Sequence, residues 1–89
     1  MSTIVESDLH RKGISEVESE LTDIFGSSGK QVVLLEFFNR YKVTVDDAIR
    51  RPKAFHTALY YLLGELGSDF VMGRIDGRLS RLRVTNPSL

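Results

Sequence analysis

The residues most suited to chemistry lie near the end of the chain, in the stretch GRIDGRLSRLR at residues 73–83. Its four arginines could contact phosphate groups. They could also lie against the negative end of a helix dipole, or pair with acidic residues elsewhere in the chain. A sequence pI of 6.7 and a net charge of zero disfavour a nucleic-acid-binding domain, which is usually basic over one uninterrupted patch.

Two glycines, Gly73 and Gly77, stand inside the same stretch about one helical turn apart. Each lowers the stability of a helix by about 1 kcal/mol relative to alanine, unless the close approach of another backbone offsets the loss. Two interpretations follow. The glycines could form a crowded helix contact within the monomer, or a symmetric contact with a second copy of the chain.

A second stretch, GSSGK at residues 26–30, resembles a phosphate-binding loop, because glycines and a lysine precede a helix whose amino terminus can bind anions. The spacing does not fit the pattern G-x-x-x-x-G-K-[ST], and Gln31 stands where that pattern needs a hydroxyl residue. We therefore interpret the stretch as a linker followed by a helix cap.

The titratable residues form no catalytic or metal-binding pattern. The chain has no cysteine, and its two histidines, His10 and His56, stand far apart in the sequence. The neighbours Asp46 and Asp47 cannot face each other on a helix. We expect ordinary hydrogen-bonding histidines, in a protein that is not an enzyme and uses no cofactor, metal or small-molecule substrate.

The composition, with 42% hydrophobic and 27% charged residues, is that of a folded protein. A chain of 89 residues makes one domain with a small core, which association with a second copy would enlarge. The longest apolar run, residues 58–63, is far shorter than the roughly 18–20 residues of a membrane span, and the amino terminus lacks the pattern of a secretory signal. We expect a cytoplasmic protein without a membrane segment.

Charge changes sign along the chain. Residues 1–26 contain six acids and two bases, whereas residues 71–89 contain four arginines and one acid. The two ends could therefore attract each other, within one chain or between two copies. The basic end could equally bind a ligand.

Apolar residues that recur every three to four positions predict an all-α protein, a compact bundle of about five short helices in a single domain. Residues 1–13 would form a flexible arm, residues 14–84 the helical domain and residues 85–89 a tail. We expect no internal repeat. The expected helix stops are Gly26 and Gly64. The expected helix starts are Ser15, Ser28, Thr44, Pro52 and Ser68.

The second of these helices is apolar on nearly every side. Such a helix lies at the centre of a bundle, or touches a partner as well as its own core. The competing interpretation, a β-strand over residues 32–38, is disfavoured by the cap at Ser28 and by the length of the pattern through Tyr41. Of the neighbouring Tyr60 and Tyr61, we expect one ring in the core and the other at a surface or interface.

The middle of the chain resembles a known family. An apolar helix ends in Tyr41-Lys42, a V-x-x-D-D turn follows, and residues 52–59 then match P-x-x-F-x-x-A-L. This run, residues 26–71, resembles the small archaeal helical modules of the Nitrosopumilus output domain type. The resemblance implies an all-helical module that works beside archaeal signalling or transcription-associated proteins, and it brings no enzymatic residues. The glycines and the basic character of the last helix depart from the family pattern.

We therefore expect a non-enzymatic protein-interaction or output module that associates with itself, as a homodimer, or docks to a protein partner. The alternative is a DNA-binding regulator that resembles a helix-turn-helix, with the arginines of the last helix on phosphates. The expected interface residues are Phe38, Gly73, Arg74, Gly77, Arg78 and Arg81.

Overall fold

The computed structural model describes residues 2–85, and the side chains of residues 8–82 within them. The elements in chain order are α1, Ser2–Glu36; a π-helical turn, Phe37–Tyr41; α2, Asp47–Arg50; and α3, Pro52–Thr85. These residues contain no strand, so the predicted all-α class is confirmed. They form one body with a radius of gyration of 13.2 Å.

Residues 2–85 form three α-helices rather than about five. The helix starts expected at Ser15 and Ser28 lie inside α1, and the start expected at Ser68 lies inside α3. Gly26 and Gly64, the expected stops, do not end these helices. At each of them a single residue leaves the helical backbone angles, and the chain kinks there instead of forming a loop. Each long helix is therefore two rods joined at a glycine.

The two ends of the chain are described in part. The segment expected to be an arm, residues 1–13, is helical from Ser2 onward. Of the expected tail, Thr85 ends α3, and residues 86–89 lie outside the described residues. No helix within residues 2–85 combines the length and the apolar character needed to cross a membrane.

Both kinks depend on glycine for the same reason. Gly26 has φ 79° and ψ 167°, and Gly64 has φ 82° and ψ −179°. Glycine is essentially the only residue that adopts this combination without strain. A second glycine follows each kink three residues later. A Cβ on Gly29 would lie 3.0 Å from the Cβ of Phe25, and one on Gly67 would lie 2.7 Å from the Cβ of Leu63. The pattern Gly-x-x-Gly therefore permits a tight bend between two helical rods.

This helix–kink–helix unit occurs twice, at a spacing of 38 residues (64 minus 26). The same spacing relates four core side chains of the first unit to four of the second, and none of the eight is more than 8% exposed. The expectation of no internal repeat is therefore wrong. The repeat lies in the glycines and in the pattern of burial, and residue types match at few positions. The pairs are Val17 with Phe55, Leu21 with Leu59, Val33 with Val71, and Phe37 with Ile75.

The core forms where α1 and α3 pack against each other. Phe37 and Phe55, both fully buried, meet edge to face with their ring centroids 5.3 Å apart. Phe37 lies in the π-helical turn, and Val33 one turn earlier is also buried. The helical interpretation of residues 32–38 is thus confirmed, and the strand alternative is wrong. Each large side chain buried in this way stabilises the fold by about 1.5–3 kcal/mol, so a few residues hold the four rods together.

The connection between the two units depends on the carboxylate of Asp47, at the start of α2. Asp47 Oδ2 accepts a hydrogen bond from the backbone N–H of Thr44 at 2.9 Å, and Oδ1 accepts one from Nε of Arg51 at 2.9 Å. The first bond is one half of the capping pair expected at Thr44. Pro52 begins α3 as predicted. The hydrogen bond from Arg51, followed by that from Thr44, holds the pKa of Asp47 below its ordinary value.

Replacing Gly64 with alanine should lower the free energy of unfolding by about 1–3 kcal/mol, because alanine is strained at these backbone angles. Gly73 provides a matched control, since it lies in regular helix and a Cβ there would meet nothing within 4 Å. Gly73→Ala should raise the free energy of unfolding by up to about 1 kcal/mol. Urea denaturation followed by circular dichroism measures both, and a Gly64→Ala protein as stable as the wild type would contradict this account of the kink.

Replacing Asp47 with asparagine should lower the free energy of unfolding at pH 7 by about 0.5–2 kcal/mol, because the cap and its arginine partner lose a charge. The folded pKa of Asp47 is lowered, so its carboxylate stabilises the fold above the unfolded pKa of about 3.9, and this contribution disappears as the pH falls below that value. The difference between variant and wild type should therefore shrink in acid. Thermal unfolding at a series of pH values tests this, and a difference that stays constant down to about pH 3 would count against it.

Candidate functional site: an ion-pair cluster and an exposed apolar surface

An ion-pair cluster joins the first rod of α1 to the second rod of α3. Arg78 donates from Nε to Oε1 of Glu20 at 2.5 Å, from Nη1 to Oε1 of Glu16 at 3.1 Å, and from Nη2 to Oδ2 of Asp23 at 2.7 Å. The three acids stand three or four residues apart on one face of α1, so one guanidinium reaches all of them. Pairing between the last helix and the acidic start of the chain is therefore confirmed at Arg78.

Glu20 needs this pairing because its side chain is only 2% exposed. A carboxylate buried without a partner would be strongly destabilising. Arg74 approaches its second oxygen, with Nε 2.7 Å from Oε2, but without the geometry of a hydrogen bond. The hydrogen bond to Glu20 is the main cause that raises the pKa of Arg78 above its ordinary value, so this arginine stays charged.

Two of the four arginines in residues 73–83 are thus held by acids of the same chain. Arg74 also lies over the ring of Phe70, with its guanidinium carbon 5.7 Å from the ring centroid. Arg81 is exposed, and the side chain of Arg83 lies outside those that the structure describes. This arrangement weighs against the DNA-binding alternative, which needs these arginines for phosphates.

The two glycines of the last helix make no crowded contact among the residues whose side chains the structure describes. There, a Cβ on Gly73 would have no neighbouring atom within 4 Å, and one on Gly77 would meet Nη1 of Arg81 at 4.0 Å. Within these residues, the interpretation of a close helix contact inside the monomer is therefore wrong. A symmetric contact with a second copy at these glycines stays a prediction.

Both histidines bind aspartates, as expected of ordinary hydrogen-bonding histidines. Nε2 of His10 lies 2.5 Å from Oδ1 of Asp46, and Nε2 of His56 lies 3.1 Å from Oδ1 of Asp69. Across the part of the chain that the structure describes, no group of three or more histidine, aspartate or glutamate side chains could hold a metal ion.

Residues 26–30, which resemble a phosphate-binding loop in the sequence, contain the first kink and continue as helix beyond it. Lys30 lines a shallow depression of about 260 Å³ together with residues of the rod before the kink. Two of the six lining residues are carboxylates, which would repel a phosphate. The lining residues are Ser15, Glu18, Ser19, Thr22, Asp23 and Lys30.

Large apolar side chains are exposed on the second rod of α1, on the π-helical turn and on both rods of α3. Leu66 is 86% exposed and Tyr61 is 65% exposed, so both side chains make little contact with the core. An aromatic side chain can bury about 150–250 Å², and the exposed fractions of ten apolar side chains here amount to on the order of 1,000 Å². The largest apolar patch on a typical monomer measures about 300–600 Å². We name as the apolar surface Val32, Leu35, Phe38, Tyr41, Tyr60, Tyr61, Leu62, Leu63, Leu66 and Phe70.

Contacts between tyrosine rings connect the two halves of the apolar surface. Tyr41, at the end of the π-helical turn, stacks on Tyr61 of α3 with ring centroids 5.7 Å apart and planes inclined by 18°. Tyr60 meets Tyr61 edge to face at 5.8 Å. Phe38 stands three residues before Tyr41, at helical spacing. Leu62 and Leu63 follow Tyr61 in the chain and lead to the Gly64 kink. The tyrosines therefore connect α3 to the π-helical turn.

The Gly64 kink accounts for the exposure of the two leucines that precede it. Leu62 and Leu63 follow the buried Leu59 by three and four residues, at the spacing of one helical face. They are 41% and 37% exposed, because the chain changes direction at the next residue and few side chains can cover the bend.

Sequence reasoning located this surface only in part. Phe38 is the one expected interface residue that lies on it. Tyr60 and Tyr61 are both exposed, so the expectation that one ring enters the core is wrong. Leu66 and Phe70 were missed. The sequence contains one indication of their exposure. Both lie on a different helical face from Val71 and Ile75, which pack into the core.

Comparisons with known protein families, with curated proteins and with solved structures found no match to this chain. What the chain does must therefore be argued from its own residues.

Replacing Arg78 with alanine should lower the free energy of unfolding by about 2–4 kcal/mol, because buried Glu20 would lose its hydrogen bond. Arg40→Ala is the control. Arg40 is an exposed residue that pairs with Glu36 one turn away, and its loss should cost no more than about 0.5 kcal/mol. Urea denaturation at low and moderate salt measures both variants. Equal losses for the two would show that the cluster does not hold the rods together.

Proposed function

We propose that this chain is a non-enzymatic protein-interaction module that works through its apolar surface, beside signalling or transcription-associated proteins in the archaeal cytoplasm. The observation that carries the proposal is the exposed apolar area, on the order of 1,000 Å² summed over ten side chains, in which the contacting rings of Tyr41, Tyr60 and Tyr61 form a connected group. Large exposed apolar patches mark interaction sites. The resemblance of residues 26–71 to output-type modules supports the same class of protein.

The chemistry of the apolar surface suits protein binding. Its centre consists of tyrosines and Phe38, and aromatic residues are frequent among those that contribute most to binding energy. Tyr41 and Tyr60 both contact the ring of Tyr61, so these side chains already have restricted conformations. Side chains held in this way lose less conformational freedom when a partner covers them.

The DNA-binding alternative has less support. Arg74 and Arg78, which it would place on phosphates, bind Glu20 and its neighbours instead. A domain without net charge also lacks the long-range attraction to DNA that a basic domain has.

Site-specific photo-crosslinking in the cells that naturally make the protein tests the proposal. A photo-reactive phenylalanine analogue replaces Leu66 in one variant and Tyr61 in a second. A third variant carries it at Ser19, an exposed polar position on α1, as the matched control. Because a partner would cover the apolar surface, we expect protein adducts from the first two positions and few from the third.

The adducts are read by gel mass and by mass spectrometry. Equal yields from all three positions, or no protein adduct from Leu66 and Tyr61, would contradict the proposed function. An adduct of twice the chain's mass and an adduct with a different protein both support it.

A further inference from the structure

Resting on this proposed function, we infer that the apolar surface binds a second copy of this chain, across a two-fold axis that passes near Tyr61. Area is the first argument. A specific complex of standard size covers about 800 Å² on each partner, close to the exposed area found here. A single docked helix is only about 10–12 Å wide and would leave part of the surface uncovered.

Charges at the edge of the apolar surface supply the second argument. Lys42 lies on the side of Phe38, with its ammonium 5.4 Å from the centroid of that ring. Glu65 stands between Gly64 and Leu66, in the second kink. Neither side chain has an ion-pair partner among the described residues.

A two-fold axis makes these two charges complementary. The interface it generates is self-matching, so a contact from residue i to residue j is repeated from j to i. In the dimer that we infer, the axis pairs Lys42 of one copy with Glu65 of the other and repeats this pair. A partner with a uniform acidic or basic surface would match one of these charges and repel the other.

Two further observations agree with a second copy as the occupant. The chain has no net charge, so two copies approach without long-range repulsion. The contact also leaves Arg78 with its three acids, because none of these four residues belongs to the apolar surface. The contact expected at Gly73, Gly77 and the arginines is a separate prediction.

Sedimentation velocity on the purified full chain tests the inference. The monomer has a mass of 10.1 kDa, and we expect a species of twice that mass. Leu66→Glu and Tyr61→Glu should each raise the dissociation constant at least about tenfold, because each places a charge in the buried contact. Ser19→Glu should leave it unchanged. Circular dichroism confirms that each variant is folded, and the 86% exposure of Leu66 means that its replacement does not open the core.

A charge exchange tests the orientation. Lys42→Glu alone and Glu65→Lys alone should each weaken the dimer, and the two together should restore most of the affinity. A folded chain that stays monomeric up to about 1 mM, the weak limit of specific association, would overturn the inference. So would a dimer that Leu66→Glu does not weaken. In either case a crosslink from Leu66 to a different protein would leave the proposed function standing.

Discussion

The structure depends on two glycines that adopt backbone angles closed to other residues. Gly26 and Gly64 each divide a long helix into two shorter rods. The chain therefore has four rods in place of two. Four rods can surround a core that two straight helices could not enclose. The second glycine of each pair, Gly29 or Gly67, permits the tight bend that follows. Packing, the ion-pair cluster and the exposed surface all follow from where the chain bends.

The two helix–kink–helix units share their core positions and differ on their other faces. Asp23, which binds Arg78, corresponds at the 38-residue spacing (61 minus 23) to Tyr61, which stacks on Tyr41. Buried Glu20 likewise corresponds to buried Ala58. The first rod of α1 and the second rod of α3 are therefore held together by ion pairs within the chain. The π-helical turn and the first rod of α3 meet through aromatic rings that extend into solvent.

The sequence predicts much of this architecture, and the reasons for its failures are physical. The helical class, the hydrogen bond between Thr44 and Asp47 and the start of α3 at Pro52 follow from local rules that act over three or four residues. Gly26 and Gly64 were expected to end their helices, and the helices bend there instead. A glycine that ends a helix and one that bends it look alike in sequence.

The candidate site was predicted less well, because it depends on contacts between distant parts of the chain. Attraction between the acidic start and the arginine-rich end was foreseen, since net charge by segment reveals it. The binding of Arg78 to three acids could not be predicted in this way, because it depends on how two rods are placed relative to each other. Leu66 and Phe70 could be found only by asking which apolar residues fall outside every core stripe.

The exposed apolar area also constrains what the chain can do. The kink holds Leu62, Leu63 and Leu66 at a bend, outside the core. At about 25 cal/mol per Å², covering the apolar surface would contribute on the order of 20 kcal/mol before costs. Association costs about 4–15 kcal/mol in lost translational and rotational freedom, and the ordering of side chains and the desolvation of polar groups cost more. Restricted side chains such as the contacting tyrosines reduce the second of these costs, so the rings of Tyr41, Tyr60 and Tyr61 are where a contact would gain most.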